Sequence, residues 1–183
     1  MAILKVARMG HPVLRQKCEP IPVEKIRDPE VQRLIRDMFE TMVEYNGVGL
    51  AAPQVHQPVR LLLAGGEEDD QGRPTFRIMI NPEITVLDGA RTLGMYEGCL
   101  SVPGMRGWVE RPDRIRVVAW NEKGEKDDFT LEGFPAVVMQ HECDHLDGVL
   151  YVDRIEDTTR FAYEEEAARY LDLAGGDLDG EEE

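Results

Sequence analysis

An α+β fold in a single domain is predicted by three features of the sequence. Short β-rich runs follow one another instead of alternating with helices; the helical patterns stand apart from them, near the start, in the middle and at the end; and 183 residues with 42% hydrophobic content suit one core. The expected architecture is a set of antiparallel β-sheets packed around a central helix, with an N-terminal and a C-terminal helix. Residues 1–173 are read as the folded domain and 174–183 as an acidic, disordered tail.

The first helix is expected from Asp28-Pro29-Glu30, where Asp28 can cap and Pro29 suits the first turn. Val31, Leu34, Ile35, Met38, Phe39, Met42 and Val43 recur at helical spacing, and Gly47 supplies a stop. Strands are expected at Val59-Leu63, Phe76-Ile80, Glu83-Leu87, Ile115-Trp120 and Asp128-Leu131, because β-rich runs there are separated by Gly65-Gly66, Gln71-Gly72 and Asn121-Glu122-Lys123-Gly124. Such spacing favours hairpins. Phe134-Pro135 opens an apolar run, Ala136 to Leu146, with the length of a three-turn helix ending at Asp147-Gly148. A last amphipathic helix is expected from about Asp157 to Leu173.

Charge and cysteine usage exclude several classes. A formal charge of -15 opposes electrostatic binding to nucleic acid or to an anionic membrane. From Ile155 to Glu183, Arg160 and Arg169 face eleven acidic residues, a net of -9, which reads as a solvated helix face and tail. Three cysteines, Cys18, Cys99 and Cys143, do not make a disulfide framework. No apolar run reaches the length of a membrane span, and the start of the chain lacks a signal-peptide pattern, so a cytoplasmic protein is expected.

The chemistry is concentrated in Gln140-His141-Glu142-Cys143-Asp144-His145. On a helix, His141 and His145 lie one turn apart on one face, so both imidazoles can reach one ion while Glu142 stands at its rim. A third ligand must come from elsewhere, with a fourth position open for water. Cys99 is the best candidate, because Glu97-Gly98-Cys99-Leu100-Ser101-Val102-Pro103-Gly104 lets the backbone approach closely. Cys143 faces away from that side of the helix, and Cys18 reads as a buried small hydrophobe. Val137 and Val138 share the face of His141, and Phe134 lies a further turn back, so these three should line an apolar pocket. Val48 can add to its wall, and the backbone near Gly49 could pair with an extended peptide. Arg106 and Arg111 read as exposed surface arginines, with pairing to Asp144 or Glu97 as the alternative.

Gly47-Val48-Gly49-Leu50-Ala51-Ala52-Pro53-Gln54 reads, alone, as a helix stop and a turn. Together with the cysteine segment and the histidine segment, in this order, it resembles the three signature motifs of the peptide deformylases. The resemblance extends to Met9-Gly10-His11-Pro12-Val13-Leu14 and covers about residues 1–155. It implies hydrolytic removal of the formyl group from the N-terminal formylmethionine of new polypeptides. It also implies Cys99, His141 and His145 as ligands of one divalent ion, Fe(II) or else Zn, Ni or Co. Glu142 then matches the general acid/base, and Gln54 with the Leu100 N–H matches the oxyanion-stabilising pair. Nascent formyl-Met polypeptides are the implied partners, in transient proximity to the ribosome, although the acidity of the last helix departs from the family pattern. Two rival readings are an HExxH zinc endopeptidase, with Glu164 or Glu165 as third ligand, and a non-catalytic metal-binding module.

Overall fold

In the computed structural model, which describes residues 2–171, the expected first helix forms as α1 (Pro29–Glu44). Asp28 takes the N-cap position, but its side chain makes no capping bond; its carbonyl accepts from the Gln32 N–H at 3.0 Å. The helix ends one residue earlier than Gly47 suggested. Asn46 adopts the left-handed conformation at φ 53°, which an Asn tolerates, and the Gly47 N–H closes the turn on the Met42 carbonyl at 2.8 Å. Ile35, Met38 and Met42 form the buried face, beside Leu50, Leu61, Leu63 and Ile80.

Eight strands follow among the described residues: β1 (Gly49–Ala51), β2 (Leu61–Glu68), β3 (Pro74–Val86), β4 (Thr92–Cys99), β5 (Val102–Pro112), β6 (Arg114–Trp120), β7 (Lys126–Glu132) and β8 (Phe161–Tyr163). They make an antiparallel five-stranded sheet, β1-β2-β3-β6-β7, and an antiparallel three-stranded sheet, β4-β5-β8. The α+β class and the antiparallel pairing thus stand as expected. The runs at Phe76-Ile80 and Glu83-Leu87 are one strand, β3, whose register against β6 shifts between Ile80 and Glu83. Asn81, left-handed at φ 51°, makes that irregularity, and its amide ties both backbone groups of Ile21 at 2.8 and 2.7 Å.

Between the sheets lies α2 (Phe134–Leu146), which packs on β1, β2, β5 and β7. Every residue from Ala136 to Leu146 is buried, so beyond its first turn this helix has no solvent face and its polar side chains must find partners inside. Its apolar side, including Ala136, Val138, Met139, Cys143 and Leu146, joins Leu62, Ile115, Val117 and Cys18 in the main core.

The C-terminal helix is shorter than expected. Asp157 caps a single 3₁₀ turn, Thr158–Arg160, its side chain accepting from the Thr159 N–H at 2.9 Å. The next three residues are taken up as β8, paired with Met105, Arg106 and Gly107 of β5. Among the described residues of this stretch, Glu164–Tyr170 is α-helical, α3. The boundary expected at residues 173 and 174, and the acidic tail beyond it, lie outside the described residues.

Candidate metal centre and active cleft

The turn periodicity of α2 places His141 and His145 side by side, with ring centroids 5.1 Å apart. The end of β4 brings Cys99 to them from the other sheet. One ligand atom from each of the three lies within 4.8 Å of the others, and Cys99 Sγ is 3.2 Å from His145 Nε2. A thiolate with two imidazoles is a donor set that suits a borderline divalent ion in tetrahedral geometry, with one position left for water or substrate. Glu97 Oε2 lies 2.7 Å from His141 Nδ1, an arrangement in which Nδ1–H donates and Nε2 keeps its lone pair for a cation. His145 Nδ1 is buried with no partner among the described residues. The residues present therefore fit a metal ion.

The carboxylate on His141 is itself held. The buried Arg111 guanidinium reaches Glu97 through Nε at 2.5 Å and Nη2 at 3.0 Å, and Asp144 through Nη1 at 2.8 Å. Arg154, from the turn Tyr151–Arg154, grips the same Asp144. Of the two readings of Arg111, exposed or paired, the structure shows the paired one. It is 3% exposed, because Glu97 and Asp144 are buried and must be neutralised there. Arg106 stays at the surface and pairs with Glu164. Burial alone would raise the Glu97 carboxyl, but the hydrogen bonds from His141 and Arg111 outweigh it and hold the group at about 2. Burial pushes His141 down, and Cys99 with Glu97 outweigh that and hold it well above the ordinary value. His145, where burial and the charges of His141 and Arg111 act together, lies well below it.

Glu142 is buried beside the three donors, and one of its oxygens, Oε2, has no partner among the described residues. Burial raises its carboxyl to about 7, against the lowering effect of His141. Its side chain lies over Gly49, where a Cβ would stand 2.4 Å from Oε1. Gln54 enters from the turn after β1. The Ala51 N–H donates to Gln54 Oε1 at 2.8 Å, which leaves Nε2 facing Cys99 Sγ at 3.4 Å and Ser101 Oγ at 3.3 Å. The segment around Met9-Gly10-His11 braces this corner: the Ala7 N–H donates to the Gln54 carbonyl and the Met9 N–H to the Ser101 carbonyl, both at 2.7 Å.

These groups open on a cleft of about 1070 Å³. Val48, Gly49, Phe134, Val137 and Val138 all line it, as do Gln54, Cys99, Leu100, His141 and Glu142. Met95 and Tyr96 of β4 also line it, and nothing in their sequence context marked them. Ser101 and Tyr151 were missed as well; Tyr151 is fully buried and stacks on the His141 ring, with centroids 6.0 Å apart. Cys143 points into the apolar core and Cys18 is buried there too, both as expected.

The family model for polypeptide deformylases matches residues 3–161. The chain belongs to that family. It is 48% identical over 184 residues to a peptide deformylase of Leptospira biflexa, covering 98% of this chain and all of the relative. The Aquifex aeolicus peptide deformylase is 47% identical over 137 residues, 74% of this chain and 80% of that one. Among solved structures, the Thermotoga maritima peptide deformylase superposes with a TM-score of 0.76 at 41% identity, covering 86% of this chain and 100% of its own. A Met-Ala-Ser-bound class I type b peptide deformylase from Acinetobacter baumannii gives 0.78 at 35% identity, covering 84% and 99%. Membership makes the chain a metal-dependent hydrolase that deformylates peptides. The donor that converges with His141 and His145 among the described residues is Cys99, not the Glu164 or Glu165 that the endopeptidase reading requires.

Proposed function

We propose that this enzyme removes the formyl group from the N-terminal formylmethionine of new polypeptides. In this reading Cys99, His141 and His145 hold one Fe(II) ion, although the same donors accept zinc, nickel or cobalt. The convergence of these three donors beside a buried, partnerless carboxylate oxygen in the wall of a peptide-sized cleft carries the reading.

An ion bound there supplies Lewis acidity, acidifying water and polarising the formyl carbonyl. Glu142 accepts the water proton at its carboxylate and returns it to the leaving amine nitrogen. A carboxyl raised by burial toward neutrality suits both transfers. As the carbonyl carbon becomes tetrahedral, the Gln54 Nε2–H and the Leu100 N–H donate to its oxygen, and losing one such donor typically costs about 3–4 kcal/mol of barrier. The fixed Oε1 of Gln54 keeps that amide from turning the wrong way. Phe134, Val137, Val138 and Val48 receive the unbranched methionine side chain, and the backbone at Gly49 pairs with the extended peptide.

New polypeptides place the reaction in the cytoplasm, in transient proximity to the ribosome. Direct contact with RNA through α3 is disfavoured by Glu164, Glu165 and Glu166 in its first turn. The test is formate release from a formyl-Met peptide by anaerobically prepared protein, with metal content measured on the same sample. Full occupancy without formate would overturn the assignment. With iron, exposure to air should shorten the half-life at least severalfold relative to the nickel form, through oxidation of the metal or of Cys99. Equal aerobic half-lives would exclude Fe(II) as the vulnerable centre.

A further inference from the structure

One wall of the cleft is basic in a chain whose formal charge is -15. The Ala7 and Met9 N–H groups donate to the Gln54 and Ser101 carbonyls, so Arg8 is carried on the strip of backbone that flanks Gln54. The His11 N–H then donates to the Arg8 carbonyl at 3.0 Å and turns the chain back, with the His11 ring edge-on to His56 and the centroids 4.7 Å apart. His56 ends the turn Ala52–Val55 that carries Gln54. Lys5, Arg8, His11 and His56 all border the cleft. The Val13 N–H donates to His11 Nδ1 at 3.2 Å, so the ring proton sits on Nε2 and can be donated to a ligand. The acidic residues of the cleft are Glu97, Glu142 and Glu164. Glu97 is taken by Arg111 and His141, Glu164 by Arg106, and Glu142 is the proton-transfer group. Lys5 and Arg8 are exposed, and among the described residues neither has a carboxylate partner.

We propose that Lys5 and Arg8, with the His11 Nε2–H, form a specificity wall that binds carboxylate side chains of the substrate residues following the formyl-Met. This assignment rests on the peptide-deformylating reading and names the nascent chains favoured by it: those with Asp or Glu close behind the methionine. Continuity with the Gln54 corner selects a substrate residue as the occupant. An extended chain advances roughly 3.3 Å per residue, so the residues within reach of that corner are the first few behind the methionine. Carboxylates match the fork of an Arg and the point charge of a Lys. The overall charge of the protein repels an anion, but charges beyond a Debye length of about 10 Å at 0.1 M salt are largely screened, whereas the two cations of the wall act at contact. A long polyanion such as nucleic acid would extend over the repelling surface, and a short acidic segment would not.

The experiment compares formyl-Met-Asp-Asp-Asp-amide, formyl-Met-Ser-Ser-Ser-amide and formyl-Met-Lys-Lys-Lys-amide as substrates of wild-type holoenzyme and of the double variant Lys5→Gln, Arg8→Gln. The amides remove the terminal carboxylate, so that side chains are the sole source of negative charge on the peptide. Binding of the corresponding unformylated peptides is measured by calorimetry on the same samples. In wild type at low salt, the aspartate peptide should exceed the serine peptide about fivefold in both kcat/KM and affinity, the scale of one or two exposed ion pairs. That preference should fade as salt is raised to about 0.5 M. The double variant should lose it while turning over the serine peptide at the wild-type rate. A preference that is absent in wild type, kept in the variant or insensitive to salt would overturn the proposal, as would a wild-type preference for the lysine peptide, which would mean that the overall charge prevails. An equal loss on the serine peptide would also overturn it, because the segment would then support Gln54 instead of reading the substrate. Tighter binding of a ribonucleotide tetramer than of the aspartate peptide, lost in the same variant, would reassign the wall to phosphates and overturn it too. Absence of formate from every peptide would count against the deformylating reading alone, because the calorimetric comparison still decides the wall.

Discussion

The Glu142 carboxylate and the three metal donors are separable by substitution, because Glu142 is adjacent to the donors without being one of them. Glu142→Gln keeps the shape and all three ligands, so metal content should stay at the wild-type level. Turnover should fall by about 10² to 10⁴, the usual contribution of general acid/base catalysis. A fully metallated Gln variant working within about tenfold of wild type would remove Glu142 from the mechanism. Gly49 tests the same carboxylate from the opposite side. The Cβ of Gly49→Ala would lie 2.4 Å from Oε1 and 2.8 Å from Cδ and Cγ, so Glu142 must move away from its seat. A displacement of about 1 Å in a catalytic group can cost about a hundredfold, and kcat should drop at least tenfold with metal retained. An unchanged kcat would mean that the position of this carboxylate is not critical.

Among the elements, those with clear periodicity were legible and those built around glycine were not. The α1 pattern and the apolar run of α2 reach their expected ranges, and the HExxH spacing brings His141 and His145 together, because helical geometry is local. By contrast, β4 and β5 contain Gly94, Gly98, Gly104 and Gly107, which weaken a strand pattern. Two of these glycines are needed for reasons that no local rule reveals: a Cβ at Gly94 would meet the Trp108 ring at 2.2 Å, and one at Gly107 would meet Ile155 at 2.4 Å. The end of the chain misled for a similar reason, since β8 exists only because β5 offers an edge. Arg111 looked like a surface residue because its partners lie 14 and 33 positions away. The end of α2 gives a prediction that separates backbone strain from packing. Gly148 and Gly104 both have positive φ, 76° and 74°, but a Cβ at Gly148 would stand 2.8 Å from the Arg15 backbone, while Gly104 has open space. Gly104→Ala should cost about 1 kcal/mol, the left-handed strain alone. Gly148→Ala should cost at least about 2 kcal/mol, since backbone cannot step aside as a side chain can. Urea midpoints measure both, and equal losses would show that the Arg15 contact yields freely.

At the scale of the whole molecule, one buried charge network joins the three-stranded sheet to α2, so the response of the enzyme to acid should follow that network. Glu97 lies on β4, Arg111 on β5, and His141 and Asp144 on α2, with Arg154 closing from the far side. The folded Glu97 carboxyl is held at about 2, below its ordinary value of 4.5. A carboxyl depressed in the folded state binds fewer protons there than in the unfolded chain. Its stabilisation is therefore complete above about pH 4.5 and is lost as pH falls toward 2. A depression of that size corresponds to on the order of 3 kcal/mol. Metal release should come earlier on acidification, since thiolate and imidazole donors must be deprotonated to bind. The network is thus best read on metal-free protein. Thermal midpoints from pH 7 to pH 2.5 should fall steeply below about 4.5 in wild type. Glu97→Gln should start lower at pH 7, with Arg111 left short of a counter-charge, and then fall less across the acid range, so that the two curves converge. Parallel curves would mean that Glu97 titrates alike in the folded and unfolded chains, and that the acid response arises elsewhere in the protein.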